Sequence, residues 1–154
     1  MPSAKRLLCV ALITVVTVLV MFLGFQAFET FVYGQAKNLR LAERHADSLR
    51  PRIAAQPRFK DIDFSSFTGG PGPGGCFSVT GSVRTEADAL ELAKIVVDSN
   101  PDVPIYWVVS IDELRFSGSQ RVILERPFKM GPIEAQISEA REMSDNFKPD
   151  PKAP

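Results

Sequence analysis

The chain of 154 residues sets 18 Lys and Arg against 18 Asp and Glu, for a formal net charge of zero, so it has no electrostatic footprint for nucleic acid. One His and two Cys supply neither a zinc-ligand spacing nor a disulfide framework, and no metal or other cofactor is expected.

Residues 7–25, LLCVALITVVTVLVMFLGF, contain no charge and no proline. At about 1.5 Å of rise per residue, a helix over this run just crosses a hydrocarbon core about 30 Å thick. Val, Ile and Thr are mediocre helix formers in water, but in lipid the backbone must satisfy its own hydrogen bonds, which leaves helix as the open choice. Phe22, Phe25, Phe28, Phe31 and Tyr33 suit an interfacial belt, and Gln26 and Glu29 mark the exit. We therefore expect a tail over residues 1–6 and a transmembrane signal-anchor helix over residues 7–28, with membrane lipid as its partner.

The competing reading is a cleaved secretory signal, because Lys5 and Arg6 precede the apolar run. Its apolar region would typically be about 7 to 15 residues, shorter than this run. Gly34 and Ala36 meet the small-residue cleavage rule but lie well past the apolar end, and Cys9 precedes the run, where no lipid-attachment cysteine belongs. Lys5, Arg6 and the terminal amine favour a cytoplasmic tail and an extracytoplasmic body, periplasmic in a bacterium. Lys37, Arg40 and Arg44 on the far side narrow that charge difference.

Over residues 35–49, Ala36, Leu39, Ala42, Ala46 and Leu49 recur at three- and four-residue steps, the period of an amphipathic helix. The expectation is a juxtamembrane helix within residues 29–51, stopped by Pro51. Its stripe would pack on its own domain or, as an alternative, form a short parallel coiled coil. Lys37, Arg40 and Arg44 fall on another face, read as solvated, with lipid phosphates as the other possibility. His45 is read as a surface residue.

A small α+β domain is expected over residues 58–128. Residues 59–67 and 77–83 read as strands joined by GGPGPGG, a wide hairpin connection. Gly70, Gly72 and Gly75 satisfy the bare pattern GxGxxG, but a strand and not a helix follows, so the dinucleotide fingerprint is rejected. Gly24, Phe25 and Glu29 copy the cleavage signature of pilin precursors, yet here the apolar run precedes that glycine. In the second strand Phe77, Val79 and Val83 share one face. Cys76, Ser78, Thr80 and Ser82 share the other, which puts Cys76 on the more polar face, read as a lone cysteine tolerated at a strand edge, with an exposed thiol that pairs with a second molecule as the alternative.

Thr85 and Asp88 form an acidic variant of the capping box for a helix reaching Ser99, with Ala89, Leu92, Ala93 and Val96 as its core face. Ile105, Trp107, Val109 and Ile111 then alternate with Tyr106, Val108 and Ser110, a strand with Trp107 in the core. A fourth strand is expected over residues 121–125, after a turn near Ser117 and Gly118. The order suggests an antiparallel sheet with helices on one face.

Residues 77–111, with Gly81, Ser82 and Val83 before the helix capped at Thr85 and a closing apolar strand, resemble the core of the BON domain, a small αββαβ module of bacterial envelope proteins. The expected class is thus α+β, a transmembrane helix followed by a ferredoxin-like or BON-like αββαβ domain with one added strand. What the resemblance implies is binding of phospholipid or of other envelope proteins, without catalysis. The layout is also similar to that of the inner-membrane alignment proteins of pilus and type II secretion machines, which implies a protein partner or a homo-oligomer.

A short helix is expected over residues 129–144, with Ile133, Ile137 and Ala140 on one stripe, and the proline-rich tail over residues 145–154 is expected to be disordered. For catalysis, a nucleophile needs a histidine held by a third group, and His45 is far in sequence from Cys76, Ser117 and Ser119. Asp61, Asp63, Asp112 and Glu113 lie on or near strands, but nothing marks them as poised. No enzyme and no catalytic, cofactor-binding or metal-binding residue is expected.

Overall fold

The structure, a computed structural model, describes residues 4–69, 74–114 and 121–146. Its element order is α1 (Ala4–Ala54), a single 3-10 turn (Pro57–Phe59), β1 (Ile62–Phe67), β2 (Cys76–Val83), α2 (Glu86–Asp98), β3 (Ile105–Ile111), β4 (Val122–Leu124) and α3 (Gly131–Asn146). The chain is therefore α+β, a long apolar N-terminal helix followed by a ββαββα domain.

α1 is one helix of 51 residues, about 75 Å long. Its large apolar side chains from Leu12 to Tyr33 are exposed, while Ala42, Ala46, Leu49 and Ile53 are buried. Those four follow steps of four, three and four, so one stripe of the same helix enters the domain core. The anticipated stop at Pro51 is not found; the helix passes it and ends at Ala54. A proline inside a helix costs about 3 kcal/mol, and burying Ile53 returns a comparable 1.5–3 kcal/mol, roughly. Arg50 steadies the same turn, donating to Glu43 Oε1 at 3.0 Å, to the Phe64 carbonyl at 2.6 Å and to Asp47.

The four strands lie in the order β1-β2-β3-β4. β1 pairs with β2, and β3 with β4, antiparallel, as their connections suggest. The central pair differs from the antiparallel sheet expected: β2 and β3 are parallel, with Phe77 opposite Ile105 and Val79 opposite Trp107. The cause is α2, which spans the sheet and returns the chain to the end where β2 began, so β3 must run in the same direction.

The core follows from parity. Residues of β3 alternate between buried and half-buried from Ile105 to Ile111, and Trp107 is 1% exposed. Phe64, Val79, Trp107 and Leu124 belong to one core with Leu92 and Val96 of α2 and Ile133 of α3. Phe64 stacks on Phe77 at 5.6 Å, and His45 of α1 meets Phe77 edge-on. All three helices thus cover the same sheet face.

α2 is capped as its sequence suggests, Thr85 Oγ1 accepting from the Asp88 N–H at 3.2 Å and donating to Asp88 Oδ2 at 2.8 Å. Glu113 Oε1 accepts from the Glu86 N–H at 2.8 Å, satisfying another orphan donor of the first turn. Gly81 has φ +126, and a Cβ there would sit 2.0 Å from the Asp61 carbonyl oxygen. Only glycine fits that crossing of β2 and β1.

Candidate functional site

Between Tyr33, the last exposed large apolar residue of α1, and Ala42, the first buried one, α1 forms a neck on which the β1–β2 connection docks. Asn38 Nδ2 donates to the Gly74 carbonyl at 2.9 Å and Gln35 Nε2 to that of Thr68 at 3.4 Å. Gly74 and Gly75 have φ +77 and +87, and a Cβ on Gly75 would lie 2.8 Å from Asn38 Cβ and 3.2 Å from the Leu39 nitrogen. The glycines of GGPGPGG therefore do more than turn the chain, since Gly75 lets the backbone touch the helix. Gly70 and Gly72 lie outside the described residues.

Thr68 lies beside Gln35 and Phe64 beside Arg50, so β1 runs antiparallel along α1. The sheet end holding Phe67, Cys76 and Ile105 is consequently the end nearest the apolar run. On the face that none of the three described helices covers, Phe67 and Tyr106 stack at 4.3 Å and 21°. They stand on the strands either side of β2 and meet across it, which accounts for Ser78 being only 3% exposed. Half-buried Val108 and exposed Ile123 continue an apolar strip among Ser65, Thr80 and Ser110. Sequence reasoning missed this strip, although the parity of Tyr106 and Ile123 was available to find it.

Two residues stand apart from their expected settings. Cys76 keeps its place on the more polar face, but there it is buried, and its Sγ–H donates to the Gly69 carbonyl. The stacked aromatic pair and the loop base shield that part of the polar face, and burial pushes the thiol pKa up, away from the thiolate a nucleophile requires. His45 is half-buried rather than on the surface, with Nε2 2.8 Å from Ser99 Oγ. The Ser99 hydroxyl already donates to the Val96 carbonyl at 2.6 Å, so Nε2 is the donor to it.

Burial lowers the His45 pKa, partly opposed by the Asp102 carboxylate. A folded pKa below the unfolded value of about 6.5 means that the unfolded chain binds protons first as pH falls. The stability is complete above about pH 6.5 and declines below it. Thermal melts of the full chain in mild detergent should give a lower Tm at pH 5.5 than at pH 7.5, and His45→Gln should flatten the difference. An unchanged slope in the variant would remove His45 as its source.

The acidic residues are dispersed. Asp61, Asp63, Asp112 and Glu113 are exposed, and Glu113 serves as a helix cap. Among the described residues no three His, Cys, Asp or Glu side chains form a group able to hold a metal ion. Ser117 and Ser119 lie outside the described residues. On the neck itself, Lys37, Arg40 and Arg44 are exposed. Glu43 and Asp47, the acidic neighbours on α1, are both taken by Arg50, whose hydrogen bond holds the Glu43 carboxyl below its ordinary range.

Compared with known proteins, the chain matches no family model, no curated protein and no solved structure. α1 is long and apolar enough to cross a membrane and lies at the N-terminal end, consistent with a signal anchor or a signal sequence.

Proposed function

We propose that the chain is a single-pass membrane-anchored envelope protein whose small α+β domain, held outside the cytoplasm, binds a partner through its open sheet face. The observation that carries this reading is the change of role along α1. Side chains that nothing among the described residues covers, such as Val16 at 51% and Leu19 at 56% exposure, give way without a break to Ala42 and Ala46 at 0%. Fifteen large apolar side chains left exposed on one helix, from Leu12 to Tyr33, need a nonaqueous surrounding, and a bilayer supplies it. The order α1-β1-β2-α2-β3 is that of the BON module which residues 77–111 resemble, and it supports binding rather than catalysis. The apolar strip of Phe67, Tyr106, Val108 and Ile123 is the surface for it, because scattered apolar residues are ordinary but a contiguous strip marks a contact.

A second reading, a component of a membrane-spanning assembly, is favoured by the continuity of α1 through the neck, which would transmit tilt and rotation of the span to the domain. Pull-down of the full chain from solubilised membranes, with Phe67→Asp and Ile123→Asp as the comparison, tests the proposed face. Partners recovered with the parent chain should be lost from the double variant. Equal recovery from both would place the contact elsewhere.

A further inference from the structure

We propose that the partner taken by the open sheet face is a second copy of this chain in the same bilayer, the two faces stacked about a two-fold axis that runs along the strands. This rests on the open face being the contact surface and on α1 being the anchor, and it adds the identity of the occupant.

The first support is charge. Asp63 stands level with Thr80, and Thr80 with Val108. Arg121, one step beyond Val122 in the β3–β4 register, comes level with Val108 in turn, and parity puts it on the face of Ile123. An acid at one edge of the face and a base at the other therefore occupy one row, both exposed. Three strand spacings hold them about 14 Å apart, too far to pair within one chain. Arg50, which Asp63 also attracts, already binds Glu43 and Asp47. Of the arginines after residue 120, Arg126 and Arg141 are paired with Asp102 and Glu86, whereas Arg121 has no ion pair among the described residues. A two-fold along the strands keeps every residue at its height and exchanges the two edges. β1 then faces β4 of the second copy, and Asp63 of each chain meets Arg121 of the other. Stacked sheets lie about 10 Å apart, a gap that an Asp and an extended Arg span together.

The second support is what lies between those charges. Phe67, Tyr106, Val108 and Ile123 make the middle of the face apolar, and the serines and Thr80 around them carry no charge. Asp61 and Glu125 fall at its two ends, in a rim that stays wet.

The third support is the membrane. Because β1 runs antiparallel along α1, the axis also runs along α1, and both helices leave the pair in the same direction, into one bilayer. The competing contact, β4 edge against β4 edge, has its two-fold normal to the sheet and would send the two helices opposite ways. All three helices lie on the covered face of each sheet, so the spans stand apart and the sheets alone make the contact. A four-stranded face about 19 Å wide and about 20 Å long gives about 800 Å² buried in all, less than the roughly 1,200–2,000 Å² of stable soluble complexes. Confinement to one bilayer supplies the effective concentration that so small a contact needs, and in dilute detergent the copies separate.

The test is energy transfer between full chains carrying a donor or an acceptor fluorophore after Pro154, reconstituted together in phosphatidylcholine vesicles at a high lipid-to-protein ratio. Flotation of the vesicles first checks insertion. The expected result is transfer well above that of random placement. Asp63→Arg or Arg121→Asp alone should weaken the association about tenfold, because each turns two attractions into like-charge contacts, and the exchange of both in one chain should restore it. Restoration distinguishes lost pairing from a damaged fold. Random-level transfer in the parent chain, or an exchange variant that stays as low as the single ones, would overturn the paired copies. The open face would still stand as a surface if other partners are lost from the Phe67→Asp and Ile123→Asp variant in the pull-down. A chain that does not float with the vesicles would overturn the anchor, and the pairing with it.

Discussion

Trp107→Ala should cost about 3–5 kcal/mol, as large-to-small changes in a packed core do, and leave the domain mostly unfolded. Trp107 is 1% exposed and stands opposite Val79 and Val122 in the sheet. On its helical side it lines a small void with Ala89 of α2 and Ile137 of α3. Removing the indole therefore takes contacts from two strands and two helices together, and rigid neighbours cannot collapse into the space. Tyr106→Ala sits one residue away on the open face. It loses the stack with Phe67, which makes about 1–2 kcal/mol the expected cost. Urea melts of the full chain in detergent, followed by circular dichroism, compare the two. Equal losses would mean that the open face is also covered, and a larger loss at Tyr106 would reverse the parity on which the core rests.

The other large effect is expected in the span. Aspartate at both Val16 and Leu19 places two charges near the centre of the apolar run, each costing about 2.5–3.5 kcal/mol there. The sum of about 5–7 kcal/mol should release much of the protein from membranes washed with alkaline carbonate. Aspartate at Ser48 and Lys94, both exposed, adds the same carboxylates outside the span and should release none. Release by the second pair, or retention of the first, would show that residues 7–25 do not hold the protein in the bilayer.

Most of the fold was legible in local pattern. The alternation around Trp107, the capped start at Thr85 and the stripe Ala89, Leu92, Ala93, Val96 each carry a period that one strand or one helix must obey. What was not legible is tertiary. The direction of β3 depends on where α2 delivers the chain, which no pattern within β3 records. Pro51 reads as a stop because its cost is local, whereas the burial of Ile53 that offsets it depends on a core assembled from distant strands. The burial of Cys76 was missed for the same reason. Strand parity puts it on the polar face correctly, but its shielding comes from a Phe67–Tyr106 stack between residues 39 positions apart. The neck was half visible. The basic residues and the glycine loop stand out in the sequence, but their opposite placement around α1 follows only once the helix is continuous and the loop is seen against Asn38.

The most direct test of an uncleaved helix carrying the domain at the membrane is the intact mass of the chain recovered from alkali-stripped membranes of expressing cells. The mass should be that of a chain beginning at or near Met1, with none released to the supernatant. A soluble product whose N-terminus lies near Lys37 would contradict it, because α1 would then be a signal sequence and the domain would leave the membrane.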